Sequence, residues 1–274
     1  MPDGGALNNP PNHSILPPFH PMPLELPGPL IATLVLALVP LCPGADGPPQ
    51  AHAPIRIACV GEQLVHSYHR ENDPEYPQFL GELLDADFKA ESTPHPMQGG
   101  FLYGGGSRHR IGNFGHPRGT VIDHGLENPK AILRSAELRL AEQFAPDIVV
   151  LGPFGYHESL TGVSMDHFAP DLRRLIDRIQ AFGSKPAVFI ALPVPYGPKD
   201  DDRNYRRVRS ETEQAAHERR LPIIDLWSAF LGHGGYFKDG FHLTESGRRH
   251  LARVVAEAIS KQAATPAAPA ERVR

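Results

Sequence analysis

The sequence predicts an α/β fold, a three-layer α/β/α sandwich built on about five parallel strands. Short apolar segments rich in β-branched residues alternate with amphipathic helical segments along most of the chain. Successive strands that are separated by helices pair in parallel. The apolar segments are continuous rather than alternating, as expected for strands that are covered on both faces. Ligands of such sheets bind beyond the carboxyl ends of the strands, so we expect a functional site there.

The first predicted strand, residues 55–60, is an apolar run that ends at Gly61. Further strands are predicted at residues 88–90, 147–152, 187–192 and 221–226. Apolar residues at helical spacing predict helices between them. These helices cover residues 129–144, 168–182, 203–219 and 251–259, together with a first helix whose apolar face is marked by Tyr76, Phe79, Leu80, Leu83 and Leu84. The segment 92–112 is rich in Gly, Pro and His, which predicts a loop.

Length and composition favour one catalytic-size domain with tails. The 274 residues are 41% apolar, enough for a single sizeable core. We expect a Pro-rich leader over residues 1–53, the domain over 54–261, and a disordered tail over 262–274. The leader contains no Lys or Arg, and its apolar run at residues 30–42 is shorter than the ~20 residues that span a membrane. Small residues follow that run, which is typical of a secretory signal. We therefore expect export; a disordered leader and a cytoplasmic protein are the alternative.

The charge and the cysteine content exclude several classes of function. A net charge of −4 gives no support for nucleic acid binding, and the two cysteines do not form a disulfide framework. The Gly-rich residues 99–106 lack the Gly-Lys-Ser/Thr ending of a phosphate loop. We expect no cofactor, no resident metal and no stable membrane span.

One motif near the end of the sequence has the residues of an acid–base pair. Asp239 precedes His242 by three residues, and Thr244 then provides an N-cap for the last helix. A carboxylate at that spacing accepts the Nδ1 proton of the imidazole, sets its tautomer and stabilises the imidazolium. This is the half of a hydrolytic triad that contains the orienting acid and the base.

The segment from Tyr236 to Gly247 resembles the final motif of the SGNH (GDSL-type) hydrolases. In that family a Gly-Asp-Ser motif follows the first strand, and its serine is the nucleophile. Here Gly61-Glu62-Gln63 stands at that place, with Tyr76-Pro77 leading into the next helix as the resemblance implies. The resemblance therefore places Gln63 at the position of the nucleophile, and a carboxamide cannot attack an ester as a serine does.

The resemblance also covers the two blocks that supply the oxyanion hole. Residues 113–120 resemble the second block, with the glycine position falling on Arg118, or on Gly119 after a slip of one residue. In the third block, a Gly-x-Asn-Asp motif, Phe154 stands where the asparagine donor belongs. The resemblance extends over about residues 55–260 and implies the SGNH fold.

Other residues offer alternatives for the chemistry. Ser67 and Ser107 are candidate replacement nucleophiles. A zinc site is one such alternative, because the spacing of Glu62, His66 and His69 would place them on one helix face. A further ligand could come from His157, His242 or Asp239. Histidines scattered over the surface are the more common explanation. Arg118, Arg108 and Arg110 are candidates for binding an anion.

Two functions follow from the resemblance. The first is a diverged ester hydrolase for acetyl or other acyl esters of carbohydrate or lipid, with His242 as base and Asp239 as its orienting acid. The second is a catalytically silent relative that binds a glycan or a protein partner. Gln63, Arg118 and Phe154 favour the second function, and the intact Asp239/His242 pair favours the first.

Overall fold

The computed structural model describes residues 53–65, 74–94, 101–123, 128–160, 164–195 and 203–264. All of them belong to the second of the two units into which the chain divides, Ala51–Arg274. The predicted leader and most of the predicted C-terminal tail lie outside the described residues, as do His66, Ser67 and His69. No helix within the described part is long and apolar enough to cross a membrane. Export stays a prediction.

Seven strands form one mixed sheet. They are β1 (Ile55–Gly61), β2 (Lys89–Pro94), β3 (Phe101–Gly105), β4 (His109–Gly115), β5 (Ile148–Leu151), β6 (Ala187–Ala191) and β7 (Ile223–Ile224). Their spatial order is β2-β3-β4-β1-β5-β6-β7. The run β4-β1-β5-β6-β7 is parallel throughout, whereas β3 is antiparallel to both of its neighbours. The expectation of about five parallel strands is confirmed, with a short antiparallel extension at one edge.

Helices cover both faces of the sheet. They are α1 (Tyr76–Leu84), α2 (Ala136–Gln143), α3 (Tyr156–Leu160), α4 (Phe168–Gln180), α5 (Arg203–Glu218), α6 (Leu226–Phe230) and α7 (Glu245–Ala264). Alternate residues of β1 enter different cores, because successive side chains of a strand point to opposite faces. Ala58 and Val60 pack with residues of α2, α4 and α5. Ile57 and Cys59 pack with residues of α1, α6 and α7. The three-layer α/β/α architecture is therefore confirmed.

The prediction of a loop over residues 92–112 is wrong. This segment contains β3 and the first part of β4, and β4 lies next to β1 in the middle of the sheet. Its glycines allow close packing rather than a loop: a Cβ on Gly104 would lie 2.5 Å from the Phe88 ring, and one on Gly112 would lie 2.3 Å from the Phe114 ring. Arg108 and His109 lie at the hairpin between the two strands, where Asp85 binds both of them.

One helix boundary differs from expectation, and the N-cap predicted for the last helix is confirmed. The helix predicted over residues 129–144 begins only at Ala136, because the Ser135 side chain caps it by accepting the Leu138 N–H at 3.0 Å. The last helix begins at Glu245, after Thr244, whose hydroxyl accepts the Gly247 N–H at 3.2 Å. In α1, Leu83 was expected on the apolar face, but it is 52% exposed.

The carboxyl ends of β1, β4 and β5 meet at one edge of the sheet. Gly61 pairs with Gly115 at the end of β4, and Val60 pairs with Leu151 at the end of β5. Gly61 is tightly enclosed there, since an added Cβ would lie 2.6 Å from Val65 Cγ2 and 2.9 Å from the Gly152 carbonyl oxygen. The turn that follows β1 therefore packs directly on the segment that follows β5.

We expect Gly61→Ala to lower the free energy of unfolding by about 1–3 kcal/mol, because the methyl group overfills a site bounded by backbone. Chemical denaturation measures the change. Gly183→Ala is the matched control, because nothing lies within 4 Å of its added Cβ. It should stay within about 0.5 kcal/mol of the wild type. Equal effects of the two substitutions would contradict the close approach at Gly61.

Candidate active site

The Asp239/His242 pair lies on a tight loop between α6 and α7. The loop is closed by an antiparallel bridge between Phe237 and Leu243 and by the Lys238 N–H, which donates to the His242 carbonyl oxygen at 2.7 Å. His242 Nδ1 lies 2.7 Å from Asp239 Oδ2. Asp239 Oδ1 accepts the backbone N–H of Phe241 at 3.2 Å and that of His242 at 2.8 Å. Three hydrogen bonds thus hold the carboxylate against the base.

These hydrogen bonds also set the charge of the acid. Although its partial burial acts in the other direction, the bonds from the His242 ring and from the two backbone N–H groups lower the pKa of Asp239 to about 2. Asp239 is therefore ionised at neutral pH and accepts the Nδ1 proton of His242. With its Nδ1 proton in that hydrogen bond, the ring presents Nε2 to the sheet edge.

Gln63 fills the position in front of that nitrogen. Its side chain is almost completely buried, and its Nε2–H donates to His242 Nε2 at 2.8 Å. At the other end of the same carboxamide, Oε1 accepts from His157 Nε2 at 3.0 Å. An amide nitrogen only donates and an amide oxygen only accepts, so His157 carries its proton on Nε2. One continuous chain of hydrogen bonds therefore runs from Asp239 through His242 and Gln63 to His157.

His157 is held neutral by its surroundings. Burial, followed by the positive charges of Lys130 and Arg118, lowers the pKa of His157 to about 4. Both cations lie on the segment that follows β4, and the Thr120 N–H donates to the Lys130 carbonyl oxygen at 3.0 Å. His157 at neutral pH is consequently a fixed N–H donor and not a cation.

Two buried carboxyl groups anchor the segment that carries His157. Glu62 accepts the backbone N–H of Tyr156 at 3.0 Å and that of His157 at 3.3 Å. Glu158 accepts the N–H of Gly155 at 3.1 Å and also that of Val121. Burial, and then the proximity of Glu158, raises the pKa of Glu62 well above its usual range. Burial also raises the pKa of Glu158 to about 7.

The candidate oxyanion positions at residues 118 and 119 lie in a turn beside Gly61. The His116 N–H donates to the Gly61 carbonyl oxygen at 2.8 Å, and the Gly119 N–H donates to the His116 carbonyl oxygen at 2.8 Å. The N–H of Gly119 is thus used within the turn. Arg118 has a φ of 58°, a conformation that glycine adopts without steric cost. The geometry favours Arg118 over Gly119 as the residue at the glycine position.

Phe154 does not face the site. Its ring is 1% exposed and belongs to the core that Ala58 and Val60 enter. An asparagine at position 154 would remove core packing instead of placing an amide in the cleft. His157, three residues further on, is the side chain of this segment that contacts Gln63. His157 was considered only as a zinc ligand, and the signal for its role here is weak: it is a histidine just after a Gly-rich turn at the carboxyl end of a buried strand.

Three further candidates that the structure describes, Ser107, Arg108 and Arg110, are not brought to this edge of the sheet. Ser107 lies before the start of β4, at the opposite end from the site, where its hydroxyl donates to Asp87 at 3.2 Å. Arg108 is paired there with Asp85 and Arg110 with Glu91, so these two arginines do not join Arg118. Within the described ranges, no group of three or more His, Cys, Asp or Glu could hold a metal ion.

A family model of GDSL-like lipases and acylhydrolases matches residues 103–250, more than half of the chain. The chain belongs to this family. The matched region contains the Asp239/His242 pair of this GDSL-family chain and begins after Gln63. A search of curated proteins found no match to the sequence.

Solved structures with the same fold include two acetylxylan esterases and a lipase/acylhydrolase. Axe2, an acetylxylan esterase from Geobacillus stearothermophilus, is 17% identical with a TM-score of 0.55, and the match covers 75% of this chain and 94% of that one. The acetyl xylan esterase AlAXEase is 18% identical with a TM-score of 0.55 and coverages of 75% and 100%. The lipase/acylhydrolase from Enterococcus faecalis is 20% identical with a TM-score of 0.53 and coverages of 76% and 96%. At such identities these similarities establish the fold of the GDSL-family chain and not its substrate.

We expect His157 to make the stability of this GDSL-family protein depend on pH. Its pKa is about 4 in the folded chain and about 6.5 in an unfolded one, so between these values only the unfolded state binds the proton. The free energy of unfolding should therefore rise with pH across this window.

The measurement compares wild type with His157→Gln by denaturant unfolding at several pH values. The stability difference, wild type minus variant, should increase from pH 4 to pH 6.5. The raised pKa values of Glu62 and Glu158 act in the opposite direction, but they are present in both proteins and largely cancel in the difference. A difference that is independent of pH would show that His157 titrates normally.

Proposed function

We propose that this protein binds an acyl-bearing carbohydrate ligand at the carboxyl edge of its sheet and does not form an acyl-enzyme. The observation that carries the proposal is the hydrogen bond from Gln63 Nε2 to His242 Nε2 at 2.8 Å. The residue at the nucleophile turn is in contact with the base, but it presents a carboxamide instead of a hydroxyl.

This contact disables covalent ester hydrolysis in two ways. The lone pair of an amide nitrogen is delocalised into the carbonyl group, so Gln63 is not a nucleophile. The same N–H group also occupies the His242 lone pair that would remove a proton from a serine or a water. A general base must lie within hydrogen-bond reach of the proton that it abstracts, and here that position is filled.

The kind of ligand is inferred from the site and from its structural relatives. Tyr156 stacks on Phe241 with 11° between the ring planes, and both residues adjoin the histidines of the site. Phe241 is 5% exposed, so the half-buried ring of Tyr156 provides the aromatic surface. Such a surface beside a few convergent polar groups is typical of small-molecule sites. Two of the similar structures are named as acetylxylan esterases, which supports an acetylated carbohydrate as the ligand.

A second candidate function is slow ester hydrolysis by a water that His242 activates. The Asp239–His242 contact of 2.7 Å favours it, because a base and its orienting carboxylate are both in place. This reaction requires Gln63 to leave His242 Nε2 before a water can enter. It also proceeds without the covalent intermediate that divides ester hydrolysis into two easier steps, which is why it is slow.

We expect wild type to give no turnover of short-chain aryl esters and no labelling by a fluorophosphonate probe. Gln63→Ser should be labelled slowly. The amide nitrogen of Gln63 extends about 2.4 Å beyond the position of a serine Oγ, so the new hydroxyl stands further from His242 than the optimum. A missing oxyanion donor typically costs a further ~10²–10³ in rate.

Gln63→Ala and the double variant Gln63→Ser/His242→Ala are the matched controls, and neither should be labelled. Turnover by wild type that disappears in His242→Ala would establish the second candidate function. Labelling of wild type would reveal a different serine nucleophile. A folded Gln63→Ser that never reacts would contradict the assignment of residue 63 to the nucleophile turn.

A further inference from the structure

The side chain of Gln63 has the shape and the hydrogen bonds of a bound acyl group. A carboxamide is a planar carbonyl group that carries one further heteroatom, as the acyl group of an ester or an acetamide does. The carbonyl oxygen of Gln63 accepts from His157 Nε2 at 3.0 Å, and its nitrogen contacts His242 Nε2 at 2.8 Å. The group is 5% exposed. Both of its ends are therefore recognised at a buried position between two histidines.

We propose that the Gln63 carboxamide is the internal occupant of an acyl-binding position, and that a ligand enters by displacing it, with His157 donating to the ligand's carbonyl oxygen. This inference rests on the proposed function, since it names the group by which the carbohydrate ligand is recognised. It assigns to His157 the donor role that the buried Phe154 cannot perform.

His157 is preorganised for that role. Its Nε2–H already points at a carbonyl oxygen, and its ring stays neutral because burial and the charges of Lys130 and Arg118 disfavour the protonated form. Its backbone N–H donates to Glu62 at 3.3 Å, and the segment is held again where Gly155 donates to Glu158 at 3.1 Å. A donor that is fixed before the ligand arrives needs no reorganisation on binding. Glu62 is accordingly a positioning residue for His157.

Because the Gln63 side chain competes with the ligand for the same position, it weakens the observed affinity for the ligand without changing the affinity of the open position. The apparent dissociation constant equals the intrinsic constant divided by the fraction of molecules in which the position is open. An acetamido ligand remakes both hydrogen bonds of the displaced carboxamide, because its N–H donates to His242 and its carbonyl oxygen accepts from His157, so the exchange is balanced in hydrogen bonds. An ester has no N–H and remakes only the hydrogen bond with His157. Removing the Gln63 side chain should therefore open the position and tighten binding.

Acetamide is the probe, because it has the same carboxamide as Gln63 with a methyl group in place of the chain. A ligand of four heavy atoms binds no tighter than tens of micromolar, roughly, so the experiment is a titration in the millimolar range. Binding is followed by NMR through the ring ¹⁵N and ¹H signals of His157 and His242.

We expect acetamide to shift both histidines of Gln63→Ala in a saturable manner, at least ~10-fold more tightly than it does in wild type. The double variant Gln63→Ala/His157→Phe should lose this tighter binding of acetamide, because a phenylalanine ring at position 157 has no N–H to donate. If Gln63→Ala does not fold, the smaller substitution Gln63→Asn replaces it in the comparison of acetamide binding with wild type. Its amide is one methylene too short to contact both histidines.

Equal binding of acetamide by wild type and by Gln63→Ala would overturn the inference. So would binding that survives His157→Phe, or the absence of any shift in both shortened variants. These results leave untouched the part of the proposed function that excludes an acyl-enzyme, because that part is tested separately by ester turnover and fluorophosphonate labelling of wild type. Conversely, turnover by wild type would refute the proposed function while leaving the acetamide result to stand by itself.

Discussion

The carboxamide of Gln63 joins three segments that are distant in the sequence. It lies on the turn after β1, it donates to His242 before α7, and it accepts from His157 at the start of α3. Only a side chain with a donor and an acceptor at its end can satisfy both histidines in their neutral forms. A serine at this position would be too short to span them. Gln63 therefore connects the three segments, but it provides no nucleophile, and its hydrogen bond to His242 Nε2 blocks the atom that would act as the base.

The buried carboxyl groups next to Gln63 show how this arrangement is supported. A charged group without partners is costly in a protein interior, and two neighbouring carboxylates add mutual repulsion. Glu62 and Glu158 offset part of this cost by accepting backbone N–H groups from residues 155–157 and from Val121. Their raised pKa values show that the pair tends to retain a proton. Together they fix the segment after β5 against the turn after β1, and so determine where His157 points.

The fold was largely predictable because its main strands are continuous apolar runs. The strands β3 and β4 were missed because their glycines and polar residues look like a loop, whereas the glycines make room for Phe88 and Phe114. The Asp239–His242 contact was predictable because the two residues are three positions apart, and a local contact can be inferred from spacing. The contact of Gln63 with His157 spans 94 residues and depends on tertiary structure. The burial of the Phe154 ring in the core could not be predicted from its position in the motif, because it depends on tertiary packing.

The most direct test of this account is whether Gln63 and His242 share a hydrogen bond in solution. Long-range ¹⁵N–¹H NMR spectra identify the tautomers of both histidines, and a scalar coupling between the two nitrogens reports the bond itself. The account predicts that His242 carries its proton on Nδ1 and His157 on Nε2, with a Gln63–His242 coupling that is lost in Gln63→Leu. His242 protonated on Nε2, or a folded wild type without that coupling, would contradict it.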